Sequence, residues 1–238
     1  MFMLHRRIWN YFAFTLILAL GISACRESTM PQETAIQKRS FEQAPLSSNL
    51  TYLVADTDGF GSARIDRSIR NAWGMAMMGN LIWISSNGKG IAAVYDTTGT
   101  RVNPGFAIPT ASDLFGGGKP TGIVSNRSTD FQLRGGNNTN FIIAGEDGSI
   151  SAWAGGSSAV YMVSSSSDSA VYTGLAIAQL NGANYLYAAD FRNGRIDVYD
   201  RNFIQQRGFT FMNFSIPLGF APFGIQYIAG KLFVTYAM

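Results

Sequence analysis

Tyr172-Thr173-Gly174-Leu175-Ala176, then Tyr185-Leu186-Tyr187-Ala188, then Arg192-Asn193-Gly194 leading into Ile196-Asp197-Val198-Tyr199-Asp200, is the stretch that decides the fold. Each run is short and rich in β-branched or aromatic residues, and polar turn residues separate the runs. That is the pattern of antiparallel strands joined by tight hairpins, with glycine supplying the positive φ such turns need. The first run has three counterparts: Ala72-Trp73-Gly74-Met75-Ala76, Pro120-Thr121-Gly122-Ile123-Val124 and Pro222-Phe223-Gly224-Ile225-Gln226. Their glycines stand at 74, 122, 174 and 224, spacings of 48, 52 and 50 residues. A second strand follows each of the other three: Leu81-Ile82-Trp83-Ile84, Phe141-Ile142-Ile143-Ala144 and Leu232-Phe233-Val234-Thr235. Two further third strands are visible, Ala92-Ala93-Val94-Tyr95-Asp96 after Asn87-Gly88-Lys89-Gly90 and Ile150-Ser151-Ala152-Trp153 after Glu146-Asp147-Gly148.

A unit of three or four short strands repeated about every fifty residues predicts an all-β protein, a β-propeller built of such blades. A parallel β-helix has shorter coils without these hairpins, and a β-sandwich would not repeat so regularly. No segment shows a sustained helical apolar period. The fourth unit reaches Tyr236-Ala237-Met238 just after its second strand, so about three and a half blades are expected over 46–238. Open sheet edges invite association. The expectation is therefore an incomplete part of a six-bladed ring, a fragment or truncated reading frame, with a half-ring closed by a partner chain as the alternative.

Several motifs are similar to one family. They are Asn49-Leu50-Thr51-Tyr52-Leu53-Val54-Ala55-Asp56, Ile69-Arg70-Asn71-Ala72-Trp73-Gly74, Gly145-Glu146-Asp147-Gly148-Ser149-Ile150-Ser151-Ala152-Trp153, Tyr187-Ala188-Ala189-Asp190-Phe191-Arg192-Asn193-Gly194-Arg195-Ile196 and Ala221-Pro222-Phe223-Gly224-Ile225-Gln226. The family they resemble comprises secreted bacterial propeller proteins of uncharacterised activity, some ending in a PEP-CTERM sorting tail. More distantly, the blades look like NHL-type and gluconolactonase-like propellers. The resemblance implies a fold and export, and it brings no catalytic residues to carry over. This chain departs from the family in having a lipobox and no visible sorting tail.

The N-terminus predicts the route of export. Basic His5-Arg6-Arg7 precedes an apolar run from Ile8 to about Leu20, short for a membrane span and suited to a signal. Ile22-Ser23-Ala24-Cys25 looks like a lipobox, so residues 1–24 read as a lipoprotein signal peptide and Cys25 as the lipidated residue, with an uncleaved membrane anchor as the alternative. Acyl chains then anchor the protein to a membrane, at about 0.8 kcal/mol per buried CH₂. Residues 25–45 are polar and aperiodic and read as a flexible tether. The expected location is the bacterial cell envelope, outside the cytoplasm, at the outer membrane or the periplasmic face.

Composition excludes much chemistry. The only histidine is His5 and the only cysteine is Cys25, so the domain offers no Ser-His-Asp triad, Cys-His dyad or common His/Cys zinc site. Without the signal the formal charge is about +1, no argument for nucleic acid. Phe115-Gly116-Gly117-Gly118-Lys119-Pro120 lacks P-loop spacing.

Oxygen chemistry remains. Asp147 and Asp190, read as equivalent ends of second strands with Asn87 as their counterpart, are candidate ligand-binding residues or turn formers. Arg192 is a candidate for an anionic or sugar ligand, or an exposed ion pair. Trp73, just before an innermost strand, is the candidate to face a channel, while Trp83 and Trp153 suit inter-blade packing. Asp96 and Asp200 read as blade-to-blade groups, and Ser164–Ser167 as an exposed loop. No cofactor is assigned, with Ca²⁺ the one possibility. Two functions are compatible with this set. One is a non-catalytic module binding a protein, peptide or glycan; the other is a Ca²⁺-dependent lactonase or lyase. Innermost strands offering Met75, Ile123, Leu175 and Ile225 favour binding.

Overall fold

The computed structural model describes residues 50–165, 168–209, 211 and 215–238; the expected signal, Cys25 and the tether lie outside the described residues. Two short strands, β1 (Val54–Ala55) and β2 (Arg64–Ile65), pair in parallel ahead of the repeats. The first blade is β3 (Ala72–Met78), β4 (Leu81–Ser86), β5 (Ile91–Asp96) and β6 (Arg101–Ala107), antiparallel in that order. The second is β7 (Pro120–Ser125), β8 (Phe141–Gly145), β9 (Ser149–Trp153) and β10 (Val160–Ser164). The third has β11 (Tyr172–Leu180), β12 (Ala183–Asp190) and β13 (Arg195–Tyr199), and the fourth β14 (Ala221–Ile228) and β15 (Lys231–Ala237). The fold is the β-propeller that the fifty-residue repeat predicts, and the described residues form four blades of four, four, three and two strands.

The recurring glycine has a packing reason. β3, β7, β11 and β14 lie side by side as the innermost strands. A Cβ at Gly74 would overlap the Thr121 carbonyl oxygen and lie 2.9 Å from Ile123 N; one at Gly122 would overlap Leu175 N. At Gly174 it would lie 2.9 Å from Phe223 O and 3.0 Å from Ile225 N. Each glycine therefore lets one innermost strand approach the backbone of the next. Two threonines just before these glycines tie neighbouring blades. Thr121 Oγ1 donates to Tyr172 O at 2.8 Å, and Thr173 Oγ1 to Phe223 O at 2.7 Å.

Between blades the core is apolar and aromatic. Trp83 packs on Phe141 at 4.3 Å and Phe106 stacks on Trp153 at 4.6 Å, joining blades one and two. Ile142, Ala144, Ile150 and Ala152 meet Tyr172, Leu186 and Tyr199 between blades two and three. Val198 and Ile225 anchor the next interface with Leu232 and Val234. Tyr172 also carries a buried hydroxyl network, donating to Asp197 Oδ2 at 2.8 Å and lying 2.5 Å from Tyr199 Oη. Ser165 Oγ sits 2.8 Å from Tyr199 Oη and is buried, so at this position the exposed loop expected for Ser164–Ser167 is corrected.

The two ends of the blade series differ. Ile123, Leu175 and Ile225 are 5%, 5% and 7% exposed beneath the preceding blade, but their counterpart Met75 is 66% exposed. At the other end an added Cβ at Gly224 would meet, among the described residues, only Thr235 Oγ1, at 2.8 Å. The outer half of blade one is covered by the leading segment, in which Val54 and Ile69 pack on Ala93, Tyr95 and Ile84. Asp66 fastens that segment. It accepts from Tyr95 Oη at 2.5 Å and Arg101 Nη1 at 2.6 Å, and from both the amide and hydroxyl of Ser68. Arg101 Nη1 also meets Ser68 Oγ.

Candidate functional site

The starts of the innermost strands and the ends of the second strands share one face of the blades, and the predicted site residues collect there. Trp73 is the second residue of β3 but does not stay with its own blade. Its Nε1 donates to Thr173 O at 3.0 Å, and its ring stacks on Phe223 at 5.8 Å with 28° between planes. Phe223 meets Phe191 edge-on at 5.6 Å. An aromatic path thus crosses from blade one to blades three and four, and Arg192 follows directly on Phe191.

Below this path lies the channel. A cavity of about 540 Å³ is lined by Trp73, Met75, Ile123, Leu175, Phe223 and Ile225 among others. A second, of about 680 Å³, continues toward the strand ends, where Met77, Ile177, Arg127 and Tyr227 join the wall. Among the described residues, no carboxylate lines either cavity. The channel strands present Met75, Ile123, Leu175 and Ile225 together with the polar Ser125, Thr173 and Gln226.

The acidic candidates do not line these cavities, and their equivalence is corrected. Strand register pairs Ala72 with Ser86, Pro120 with Gly145 and Tyr172 with Asp190. Ser86, Gly145 and Asp190 are therefore the matching positions, not Asn87, Asp147 and Asp190. Asp147 is exposed, and its Oδ1 accepts the Ser149 amide at 3.2 Å and hydroxyl at 2.5 Å. A Cβ at Gly145 would lie 2.6 Å from that same oxygen, so the Asp147 carboxylate fills space that Gly145 leaves open. Asp190 is fully buried. It accepts Val171 N at 3.1 Å, and Asn193 N at 3.3 Å and Nδ2 at 2.6 Å. Asp147 organises its own hairpin, and Asp190 ties its hairpin to the segment ahead of β11.

Arg192 is exposed and makes no ion pair among the described residues. It lines a cavity of about 630 Å³ with Phe191, Phe220, Ala221 and Met238. Ion pairing falls to Arg195 instead, at 2.8 Å from Asp197, 3.1 Å from Asp168 and 3.6 Å from Asp190. Hydrogen bonding to Asp197 leads in holding this guanidinium above its ordinary pKa, against the opposing effect of burial. Burial, then the Tyr199 neighbour and Asp197, pushes the Tyr172 hydroxyl far up, so it stays protonated. Asp96 and Asp200 are also corrected. Asp96 caps Thr98 N and Thr100 N at 2.9 and 2.8 Å, and Asp200 caps Asn202 N and Ile204 N at 2.9 and 3.0 Å, each inside its own blade.

Sequence reading missed Arg195 and the Phe191–Phe223 contact. Arg195 heads an alternating strand whose inward Ile196 and Val198 draw attention from their polar neighbours. The Phe191 and Phe223 rings meet only because the glycine at 174 brings two blades together.

No known family's sequence profile matches the chain. Two uncharacterised proteins of Acanthamoeba polyphaga mimivirus are each 28% identical over 200 residues, 79% of this chain and 48% and 52% of the viral proteins. The chain spans about half the length of these curated relatives. Among solved structures it is similar to virginiamycin B lyase of Staphylococcus aureus (TM-score 0.48, 13% identity, 70% of this chain and 48% of that one). A Bacteroides thetaiotaomicron protein of unknown function gives a TM-score of 0.49 at 12% identity, covering 78% of this chain and 44% of that one.

Proposed function

We propose that this chain is a non-catalytic binding module of the bacterial cell envelope, a member of a secreted propeller family held to the membrane by lipid on Cys25. Its ligand, a protein, peptide or glycan, enters at the strand-start end of the channel. One observation carries this reading: Trp73 spans the channel head over a mainly apolar wall that, among the described residues, contains no carboxylate. A calcium-dependent lactonase or lyase needs oxygen ligands turned into that space. Asp147 Oδ1 is taken up in its own hairpin, and Asp190 by Asn193 and by Val171 N instead. An indole ring with an apolar floor suits an aromatic or aliphatic side chain, or the flat face of a sugar.

The reading is tested by screening the full chain and its Trp73→Ala variant against a displayed heptapeptide library and a glycan array. Binders specific to the unsubstituted chain are expected. An identical set from both proteins would refute a site at the channel head.

A further inference from the structure

Blade two differs from its neighbours in one feature. The first two strands of blades one, three and four are joined by the two-residue turns Gly79-Asn80, Asn181-Gly182 and Ala229-Gly230, but β7 and β8 are separated by residues 126–140. Inside a compact domain, a connection of this length without strand or helix of its own is usually functional.

This insertion is built. Asn126 Oδ1 accepts the Ser128 amide and hydroxyl at 3.0 and 2.7 Å, and Asn126 Nδ2 donates to Asp130 O at 2.8 Å. Thr139 Oγ1 donates to Phe131 O at 2.7 Å. The insertion is also docked on blade three. Phe131 N donates to Arg201 O at 2.9 Å, Asn184 Nδ2 to Asp130 Oδ2 at 2.8 Å, and Phe131 meets Phe203 edge-on at 5.5 Å. Both phenylalanines are buried and hold φ values of 58° and 62°. Bulky residues rarely enter that left-handed region, and such outliers gather at functional sites.

Between the insertion and the loop after β13 lies a cavity of about 510 Å³, inside the usual range for small-ligand clefts. Arg134 and Arg201 line it, both exposed and neither in an ion pair among the described residues. Gln132 and Asn202 add amides, and Leu133 and Met162 add an apolar patch. The one carboxylate in the lining, Asp130, already takes the Asn184 amide. Two free guanidiniums against one engaged carboxylate leave a surplus of positive charge. Guanidinium forks match carboxylate geometry, while amides beside an apolar patch suit a hydroxylated ring.

We propose that this cavity binds an acidic carbohydrate, its carboxylate held by Arg134 and Arg201 and its ring set against Leu133 and Met162. The site is separate from the channel head and does not depend on the role assigned to Trp73.

The test titrates the full chain with trigalacturonate, maltotriose and inorganic phosphate at low salt. Trigalacturonate should bind at least tenfold more tightly than maltotriose, since a hydrogen bond to a charged group contributes a factor of that order, and more tightly than phosphate, which has no ring to set against Leu133 and Met162. Arg134→Gln and Arg201→Gln should each weaken it at least tenfold, whereas Lys231→Gln, at an exposed cation outside the cavity lining, should leave it unchanged. Both substituted side chains are exposed, so unchanged circular dichroism is expected of the variants. Equal affinity for phosphate, for maltotriose or in either arginine variant would overturn the proposal, as would no binding of trigalacturonate.

Discussion

Replacing the recurrent glycines one at a time by alanine tests whether close strand approach, rather than turn formation, explains the repeat. Gly74, Gly122, Gly174 and Gly224 occupy the same place in four innermost strands, and none has a positive φ. Backbone freedom alone would thus make alanine neutral or favourable, by about 0.5–1 kcal/mol in a strand. Contact reverses the sign at three sites. At Gly122 the new Cβ would overlap Leu175 N and lie 2.8 Å from Leu175 Cβ, and at Gly74 it would overlap Thr121 O. Backbone atoms cannot rotate away, so overpacking of about 1–3 kcal/mol or more is expected. At Gly174 the contacts are longer, 2.9 and 3.0 Å, and the cost should fall at the lower end of that range. At Gly224 the only neighbour among the described residues is Thr235 Oγ1, a side chain that can turn, although it then gives up its bond from Gly224 N at 3.0 Å. Loss and gain there should nearly cancel. In a domain of this size about 1 kcal/mol moves the midpoint by roughly 2–4 °C. Gly122→Ala should therefore melt several degrees lower in calorimetry, with Gly224→Ala within a degree or two of the parent. A silent Gly122→Ala, or a Gly224→Ala as damaging as the others, would refute the cradle argument.

Asp66 should confer pH-dependent stability. Burial opposes its ionisation, but bonds from Ser68, Tyr95 and Arg101 outweigh it and hold the carboxyl well below the ordinary range. A depressed folded-state pKa stabilises above the unfolded value, about 4, and that stabilisation is lost as pH falls through the folded one. Asp66→Asn should therefore lower the melting temperature at pH 7, with the gap to the parent narrowing below about pH 4; a constant gap would contradict the assignment. Lipidation is checked by labelled palmitate in a bacterial host: label on the parent, none on Cys25→Ala, and release of that variant from membranes. Label on both proteins would remove Cys25 from its role.

The sequence displayed the blades because their strands are short and their spacing regular. Gly174, Leu186 and Val198 announce three strands in one unit, and the same order recurs elsewhere. Side-chain partnership was less visible. Asp147 and Asp190 sit two residues out of register with each other, since β8 ends at Gly145 while β12 runs to Asp190. Only the pairing reveals that shift. Trp73 could be placed at a strand start from sequence, but its reach to Thr173 and Phe223 depends on how sharply successive blades turn. The insertion at 126–140 left a trace, since Phe141 follows its glycine at 122 by 19 residues where Leu81 follows Gly74 by 7. Its docking through two left-handed phenylalanines had no counterpart in any residue pattern.

The most direct test of a non-catalytic channel site is calorimetric titration of the tightest binder from the peptide and glycan screens, with and without chelator, followed by mass analysis of the ligand. Trp73→Ala should weaken binding at least tenfold and Trp73→Phe should restore part of it, since the ring supplies stacking area. Chelator should change nothing, and the ligand should be recovered intact. Binding that requires Ca²⁺ and yields cleaved ligand would contradict the account.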